Sequence, residues 1–358
     1  MKAWVLLAAA VALAAEIGAA ASAEVKPGGA LEITISGYAA FQAHGGALDD
    51  QRQEPGLSTG LDFTNDTELH VILRGKHDAT GIEYGANVEF AADTSDLENA
   101  GESWIFLRGG FGELRLGDEE GPVEESALGA RAVAAGTGGI DGEVVAELVV
   151  DAALPSDTDV ATKIRYYTPS LAGFQLGLSY TPNADDRGDR LAPRDVAVDD
   201  WVEGALVYAG EFGDVEIAAS LVGSLGEAKD PDELAGEREV WTYFAGVTAE
   251  VGDLGVGAGF GDENVGGQEK RYLNVGVAYA IAEGLDLSVT HGRVLRTEGY
   301  DGVGEPWNAV ASAGVELAAG VVLAGDMAYF DNDLDPGAEG FTGDDSGWAW
   351  VTRLEVAF

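Results

Sequence analysis

Apolar and polar residues alternate with a period of two through most of this chain, in segments of about ten residues separated by turns rich in Gly, Asp and Asn. The segment at 347–358, GWAWVTRLEVAF, places two Trp, Thr, Leu, Val and Phe on one face and Ala, Val, Arg, Glu and Ala on the other. Successive side chains of a β-strand point to opposite faces, so each segment is predicted to be a strand with one apolar face. We count sixteen such segments.

A single unbroken series of strands needs something to cover its apolar face. A soluble β-sandwich uses a second sheet, in domains of about a hundred residues. Here no second apolar layer or helix pattern is present, but closure into a barrel would turn the apolar face to lipid and pair every backbone group. The predicted fold is therefore all-β: a transmembrane antiparallel β-barrel of sixteen strands.

The connections between the segments are of two kinds. Short turns lie at 212–215, 250–255 and 283–286, and long acidic loops lie at 44–62, 183–200, 226–238, 296–306 and 331–346. Alternation of short turns and long loops is typical of outer-membrane barrels, which also carry aromatic girdles at both interfaces. The residues predicted to form these girdles are Trp104, Trp201, Trp241, Trp307, Trp348 and Trp350.

Residues 1–23 are predicted to be a cleaved secretory signal peptide. Lys2 supplies the positive start, an apolar run extends from Trp4 to Ala15, and the small residues before Glu24 fit a cleavage site. The apolar run is short for a retained membrane anchor. Residues 24–358 are predicted to form one barrel domain, because no Pro/Ser-rich linker divides them. The chain has no cysteine, so disulfides cannot stabilise it.

The charge balance limits the possible partners. The chain has 20 basic and 63 acidic residues, a net charge of −43. This excludes nucleic acid, whose phosphates require a basic surface. So large a charge can also indicate disorder, but an apolar content of 46% and the regular alternation argue against it.

Three features resemble the general diffusion porins of Gram-negative outer membranes. The stretch FGELRLGD (111–118) resembles the family strand that precedes a loop folded into the channel, and IRYYTPSLAGFQLGLSY (164–180) resembles a strand–turn–strand segment of the family. Phe358 resembles the terminal aromatic residue that the barrel-assembly machinery reads. The resemblance implies an outer-membrane homotrimer in contact with lipopolysaccharide. It also implies a water-filled channel through which small hydrophilic solutes and ions diffuse passively.

The longest connection, at 118–161, lies between these two stretches. Loops of this length are usually either functional or disordered. In the porins the third loop folds inward and narrows the pore, and the resemblance implies the same for 118–161. The alternative is an ordinary acidic external loop.

Strand parity assigns a group of basic residues to the interior of the barrel: Arg74, Lys76, Arg115, Lys163 and Arg165. In the resembling family such a cluster faces acidic residues of the inward loop, and the field between them sorts solutes. The acidic partners would come from Asp118, Glu119, Glu120, Glu124, Glu125, Asp141, Glu143 and Glu147. Each basic residue could instead belong to an ordinary salt bridge of the barrel interior.

The charges predict a preference for cations. Many general porins carry a basic residue after the glycine of the 111–118 stretch, whereas Asp118 follows Gly117 here. With one wall charge lost and acidic residues in every loop, the pore should favour cations, which rings of Asp and Glu select.

A barrel that is not a channel remains as the alternative, either a hydrolase or a structural or adhesive surface protein. The stretch GLSTG (56–60) matches a nucleophile pattern, with Ser58 and one of His44, His70 or His77 as candidates. That pattern requires a strand-to-helix turn, which is not predicted here. We therefore expect no enzyme activity, and uptake of small sugars by liposomes would distinguish the two classes.

No cofactor is expected, although the acidic loops could bind calcium weakly. The stretches 331–337 and 343–347 are rich in carboxylates but lack the glycine and glutamate of an EF-hand. The four histidines show no metal-ligand spacing along the sequence. The small residues of GVGAGFG (255–261) are predicted to let strands or protomers approach closely.

Overall fold

A computed structural model describes residues 23–25, 31–48, 60–92, 100–143, 153–184, 188, 198–228, 239–265, 267–299, 303–333 and 346–358. The predicted signal peptide lies outside these residues except for Ala23, and Ser58 and Glu147 lie outside them as well. Among the described residues, no helix has the length and apolar character needed to cross a membrane.

The described residues contain sixteen strands of seven or more residues, numbered here in chain order. They are β1 Leu31–Leu48, β2 Leu61–His77, β3 Ile82–Ala91, β4 Ser103–Gly109, β5 Gly112–Glu119, β6 Ala161–Tyr167, β7 Phe174–Thr181, β8 Val198–Phe212, β9 Val215–Ala228, β10 Glu239–Val251, β11 Leu254–Val265, β12 Gln268–Ala282, β13 Leu285–Glu298, β14 Trp307–Ala318, β15 Val321–Asp331 and β16 Ser346–Ala357. Several strands extend beyond the apolar segments, because the hydrogen-bond ladder continues through the polar residues at their ends.

The strands form a closed barrel. Each strand pairs antiparallel with the next, and β16 pairs with β1 from Gly347↔Leu48 to Ala357↔Tyr38. Beyond β16, Phe358 and Gly37 exchange two backbone hydrogen bonds of 2.9 and 3.0 Å. The short segment Ala23–Val25 pairs antiparallel with the first part of β1, from Ala23↔Ile35 to Val25↔Ile33. The predicted antiparallel barrel of sixteen strands is therefore confirmed.

The two faces of the barrel wall differ as the alternation predicts. In β16 the side chains of Trp348, Leu354 and Val356 are exposed on the outside, while Ala349 and Val351 are buried inside. The same holds for β10, in which Val247 is exposed and Phe244 is fully buried. The apolar row of each strand therefore points out of the barrel, where lipid would cover it.

The connections place short turns at one end of the barrel and longer loops at the other. The short turns follow β2, β4, β6, β8, β10, β12 and β14, and the longer connections alternate with them. One connection at the long-loop end is short, since only two residues separate β11 from β12.

The girdle prediction is wrong for two residues, which lie inside the barrel. Trp104 lies on the inside, where its Nε1 donates a hydrogen bond of 2.9 Å to Glu102. Trp201 is also buried inside, on the face that carries Glu203. Trp241 and Trp307 lie on the outward face, as the girdle prediction requires; Trp241 stacks on Tyr243 of the same strand, and Trp307 contacts the Tyr329 ring of β15 in a tilted arrangement. Position near a strand end does not reveal the face, because a shift of one residue moves a side chain to the other side.

The outward row of β10 gives a test of the fold. Arginine at Val247, well inside the strand, should lower the free energy of unfolding by about 2–4 kcal/mol, whereas arginine at Val251 should cost about 0–1 kcal/mol. Val251 is the last residue of β10 and is similarly exposed, so it serves as a control that matches the exposure of Val247 and differs in depth. Urea unfolding of the protein in lipid vesicles, followed by tryptophan fluorescence, measures both costs. Equal losses for the two variants would contradict the orientation of this strand.

Candidate functional site

The connection between β5 and β6 is built from short helical elements. Helix α1 spans Pro122–Ser126, and two 3-10 turns follow at Arg131–Val133 and Gly139–Asp141. Proline at the first position of α1 and the acidic residues of its first turn favour the start of a helix. Helix α1 contacts β7, β8 and β9, and the second 3-10 turn contacts β13 and β14. The segment therefore follows the inner wall from β7 to β14.

Backbone N–H groups of this segment donate hydrogen bonds to polar side chains of the wall. The pairs are Leu128 to Ser220 Oγ at 3.1 Å, Ala130 to Asn274 Oδ1 at 2.9 Å, Ala135 to Ser288 Oγ at 2.8 Å and Ile140 to Thr290 Oγ1 at 3.1 Å. These four wall side chains are buried on the face opposite the exposed apolar rows. The described parts of the loop thus lie inside the barrel, where the wall satisfies backbone groups that would otherwise be buried without partners.

The returning part of the loop is bound in the same way. Ser156 donates from its backbone N and its Oγ to Glu263, at 3.1 and 2.8 Å, and Thr158 N donates to Glu203 Oε1 at 3.0 Å. The sequence analysis missed these buried acids and the polar wall residues described above. Their position on the inward face was the available signal, but their partners depend on the course of the loop.

Apolar contacts complete the packing of the loop against the wall. Val123 and Ala127 belong to one buried cluster with Phe244 and Tyr272. Gly257 faces the same region, and a Cβ atom there would lie 2.2 Å from the carbonyl oxygen of Gly129. The small inward face of β11 therefore makes room for the loop, and the prediction that it brings strands or protomers together is corrected.

Two of the predicted wall residues hold the start of the loop through buried ion pairs. Arg165 Nη2 lies 2.5 Å from Glu125 Oε1, and Arg165 Nε lies 3.4 Å from Glu119 Oε2. Arg115 Nη1 lies 3.4 Å from both Glu119 and Glu125. Arg165 and Glu119 are fully buried, and Arg115 is 6% exposed. We call these four residues the arginine cluster. For its two arginines the structure favours the salt-bridge interpretation over a charge facing open water.

Aromatic rings and a further acid support the arginine cluster. The Arg115 guanidinium lies 4.3 Å from the centre of the Trp104 ring, and that of Arg165 lies 5.0 Å from the Tyr167 ring. Tyr167 OH donates to Glu125 Oε2 at 3.1 Å, and Glu113 pairs with Arg115. These contacts fix the side-chain positions of both arginines.

Lys163 also binds the loop, through hydrogen bonds from its ammonium group. Its Nζ donates to Thr158 Oγ1 at 2.8 Å and to the carbonyl oxygen of Asp159 at 2.7 Å. The side chain is 2% exposed. Lys163 therefore fixes the end of the loop where the chain enters β6.

Two further arginines, which the sequence analysis missed, pair with predicted loop acids. Arg131 Nη1 lies 2.8 Å from Glu124 and 3.0 Å from Asp141, and so links the two helical parts of the loop. Arg353 Nη1, on the inward face of β16, lies 2.8 Å from Glu143. The parity of β16 already placed Arg353 opposite the apolar row, so its inward position could have been predicted.

In these ion pairs the acid is more exposed than the base. Glu124 and Asp141 are 35% and 37% exposed, against 14% for Arg131. Glu143 is 41% exposed and Arg353 is 14% exposed. The surface that these pairs present to the interior is therefore mainly carboxylate.

Other predicted site residues lie elsewhere. Lys76 pairs with Glu83 at 3.0 Å beside the turn that follows β2, and Arg74 is exposed near the same end of that strand. Among the described residues neither contacts the loop. Asp118 lies on the outer face, because Arg115 three residues before it points inward, and it accepts a hydrogen bond of 2.6 Å from Gly188 N. The prediction that Asp118 adds an acid to the constriction is therefore corrected.

Glu120 joins the loop to β6 through its backbone. Its carbonyl oxygen accepts a hydrogen bond of 2.6 Å from Arg165, and its N–H donates to Glu102 Oε1 at 3.1 Å. Its Oε2 is buried and has no hydrogen-bond partner among the described residues. Burial raises the pKa of Glu120 to about 8, and the charges of Asp157 and Asp159 act in the same direction.

The inward side chains of β1–β3 are more accessible than those of the other wall. Asp66, Glu68, His70 and Glu89 are all half-buried, whereas many inward side chains of β7–β16 are covered by the loop. These four positions place three carboxylates and one imidazole on the accessible side of the interior.

These features define a class of protein. A closed barrel of sixteen strands, apolar outside and polar inside, is an outer-membrane barrel. A profile described as Gram-negative porin matches residues 4–350. The chain belongs to the Gram-negative porin family and is an outer-membrane channel protein.

Comparisons with other proteins agree with this assignment. No curated sequence matches the chain. The anion-selective porin from Comamonas acidovorans has a TM-score of 0.63 at 15% identity, over 92% of this chain and 100% of that one. The outer membrane channel DcaP of Acinetobacter baumannii has 0.63 at 13%, and OmpT of Vibrio cholerae has 0.61 at 14%, each over 94% of this chain and 100% of the other. At such identities the likeness shows the fold alone.

The position of Glu120 predicts that docking of the loop depends on pH. An exposed glutamate titrates at about 4.3, so between about pH 4.3 and 8 the docked loop holds more protons than the undocked one. Docking should therefore weaken as pH rises through this window. Hydrogen exchange of amides 121–142, corrected for intrinsic rates, should show more frequent opening at about pH 8.5 than at about pH 5.5.

The variant Glu120→Gln should reduce this difference, because the amide does not titrate. The control Glu298→Gln removes an exposed acid at the last residue of β13, where it pairs with Arg296, and should preserve the difference between the two pH values. The same opening frequency at both pH values in the unmodified protein would show that Glu120 is not buried as described.

Proposed function

We propose that this protein is a passive diffusion channel for small hydrophilic solutes and ions, and that it prefers cations. The proposal is supported most directly by the unequal exposure of the ion pairs of the loop. The arginines of these pairs are largely buried, whereas their carboxylates remain accessible from the interior. A permeating cation would therefore meet negative charge at the loop.

The water path runs, in this proposal, between the loop and the inward faces of β1–β3. The loop packs on the opposite wall through hydrogen bonds and apolar contacts, which supports the proposal that it narrows the interior. Asp66, Glu68 and Glu89 line the accessible side. Carboxylates on both sides of one path attract cations and repel anions, as rings of Asp and Glu do in cation channels.

The hydrolase alternative has less support. It depends on Ser58, which lies outside the described residues. Its candidate partners are dispersed, since His77 lies beside the turn after β2 and bonds to Thr80, while His70 faces two glutamates. We therefore propose a protein without enzyme activity.

Planar lipid bilayers test the channel and its selectivity together. We expect discrete conductance steps and, in a salt gradient, a reversal potential of the cation-selective sign. The triple variant Glu124→Gln, Asp141→Asn and Glu143→Gln should move that potential toward zero, because one carboxylate at 4 Å attracts a monovalent cation by about 1 kcal/mol even in water. Amides keep the shape and hydrogen bonding of the side chains.

A matched triple variant controls for net charge. Glu283→Gln, Glu298→Gln and Glu316→Gln remove the same number of acids from exposed positions at strand ends and turns, and should change the potential less. An anion-selective sign in the unmodified protein would refute the preference for cations. A barrel that passes neither ions in the bilayer nor small sugars in liposomes would refute the channel.

We further propose that the protein is a homotrimer whose subunits meet at β4–β7. These strands have only seven or eight residues. Seven residues of about 3.3 Å, tilted by about 40°, cross about 18 Å, less than the apolar band of about 25 Å. We call these four strands the low wall. If lipid surrounded the low wall, its polar connecting segments would lie in hydrocarbon, and neighbouring copies of the chain would instead cover them. One structure of OmpT from Vibrio cholerae is described as a trimer form, which is consistent with the proposed homotrimer.

Site-specific labelling tests this interface, because the chain has no cysteine of its own. A fluorophore on Ile105→Cys or Ile164→Cys, both outward and exposed in the low wall, should be shielded from brominated lipids in the trimer. The same fluorophore on Val289→Cys or Val277→Cys should be strongly quenched, since these residues are similarly exposed on β13 and β12. Equal quenching at all four positions, together with a monomer mass in mild detergent, would contradict the proposal.

Other expectations from the sequence remain proposals. Phe358 is 44% exposed beside the last barrel strand, a position at which the barrel-assembly machinery could recognise it. Removal of residues 1–23, contact with lipopolysaccharide and weak binding of calcium at the acidic loops are likewise proposed.

A further inference from the structure

One group of interior side chains combines an imidazole with carboxylates. Glu68 and His70 lie on β2, and Glu89 lies directly opposite His70 on β3. All three point into the barrel. One ligand atom from each lies within 4.8 Å of the others, so small side-chain rotations would bring all three to a single metal ion at about 2.0–2.2 Å. We call these residues the β2–β3 triad.

The imidazole of the β2–β3 triad is held next to a carboxylate without forming a good hydrogen bond to it. His70 Nε2 lies 3.1 Å from Glu68 Oε2. The nitrogen is nevertheless buried without a hydrogen-bond partner of suitable geometry among the described residues. The side chains are 15% and 27% exposed, so the group remains accessible from the interior. A buried ring nitrogen directed at carboxylates in this way is suited to share a cation with them.

Neighbouring residues fix the carboxylates. Asn87 Nδ2 donates a hydrogen bond of 2.6 Å to Glu89 Oε1, which orients this side chain and leaves its second oxygen available. Glu102 lies opposite Glu89 in the sheet, but Trp104 Nε1 and Glu120 N occupy its two oxygens. Glu102 therefore adds negative charge without acting as a ligand. Outer hydrogen bonds of this kind orient the ligands in known metal sites.

The carboxylates of the β2–β3 triad have no basic partner of the kind that the neighbouring Asp66 finds in Arg353, at 3.3 Å. Among the described residues, no lysine or arginine forms an ion pair with Glu68 or Glu89. The acids of the arginine cluster, Glu119 and Glu125, each contact two arginines. A bound cation would supply at the β2–β3 triad the positive charge that arginine supplies there.

We propose that Glu68, His70 and Glu89 bind one divalent transition-metal ion, for which Zn²⁺ is the representative probe. Imidazole nitrogen with carboxylate oxygen suits Zn²⁺, Ni²⁺ or Co²⁺, and water from the interior would complete the coordination. Ca²⁺ and Mg²⁺ prefer all-oxygen sites and would bind here more weakly. The site requires only the barrel and does not depend on whether the channel prefers cations.

Calorimetric titration of the purified, folded protein with ZnCl₂ tests the proposal. The buffer contains excess MgCl₂, so that the many exposed carboxylates are already occupied. We expect one Zn²⁺ per chain in a phase that Mg²⁺ does not remove. Titration with Co²⁺ should give the visible absorption bands of a cobalt ion bound by nitrogen and oxygen.

Single substitutions assign the ligands. His70→Ala and Glu89→Gln should each weaken Zn²⁺ binding by at least about tenfold, the lower end of the losses found when metal sites are disturbed. His77→Ala removes another histidine of β2, exposed beside the turn, and should leave the affinity unchanged. Circular dichroism confirms folding of each variant, and His70→Asn replaces His70→Ala if the latter fails to fold.

The possible outcomes decide the question. Loss of the one-to-one phase in the triad variants and its retention in His77→Ala would support the site. Absence of that phase in the unmodified protein, or equal affinity in all variants, would overturn it and leave an ordinary histidine–glutamate ion pair. Because binding is measured in solution, a failed channel experiment would not be mistaken for a failed metal site.

Discussion

Every backbone polar group that lies away from bulk water needs a hydrogen-bond partner, and this requirement governs both the barrel wall and the loop inside it. In the wall the requirement is met by closing the sheet, so that the sixteen strands leave no free edge. Inside the barrel the same requirement applies to a loop with little secondary structure. Its N–H groups bond to wall side chains such as Ser220, Asn274 and Thr290. The polar interior is thus both the boundary of a water path and the set of acceptors that positions the loop.

The packing of the loop against the wall also determines which charged side chains are buried and which remain accessible. Removing a guanidinium from water costs several kcal/mol, which close carboxylates must offset. Arg115 and Arg165 meet this condition through two shared acids and two aromatic rings. Because these bases are enclosed, they present little positive charge to the interior. In the ion pairs of Arg131 and Arg353 the carboxylate is likewise the more accessible partner, which counting charges in the sequence does not reveal.

Much of the fold could be predicted from the sequence, because alternation reports directly which face of a strand a residue occupies. The strand count, the outer apolar rows and the inward position of Arg115, Lys163 and Arg165 all followed from parity. The partners of these residues did not, since they depend on register and on the course of the loop. His70 and Glu89 lie on different strands and become neighbours only through pairing. Arg131 was overlooked because an isolated arginine in a loop has no periodic pattern to place it.

The pairing of β1 with β16 has a consequence for how the protein forms. Tyr38 meets Ala357, so two residues near opposite ends of the described sequence must find each other. Such distant contacts slow folding, since the chain entropy is lost before the contact rewards it. Until this seam closes, both terminal strands expose unpaired hydrogen-bonding edges that invite aggregation. The protein is therefore most exposed to aggregation during assembly, and once the seam is closed the sixteen described strands leave no unpaired edge.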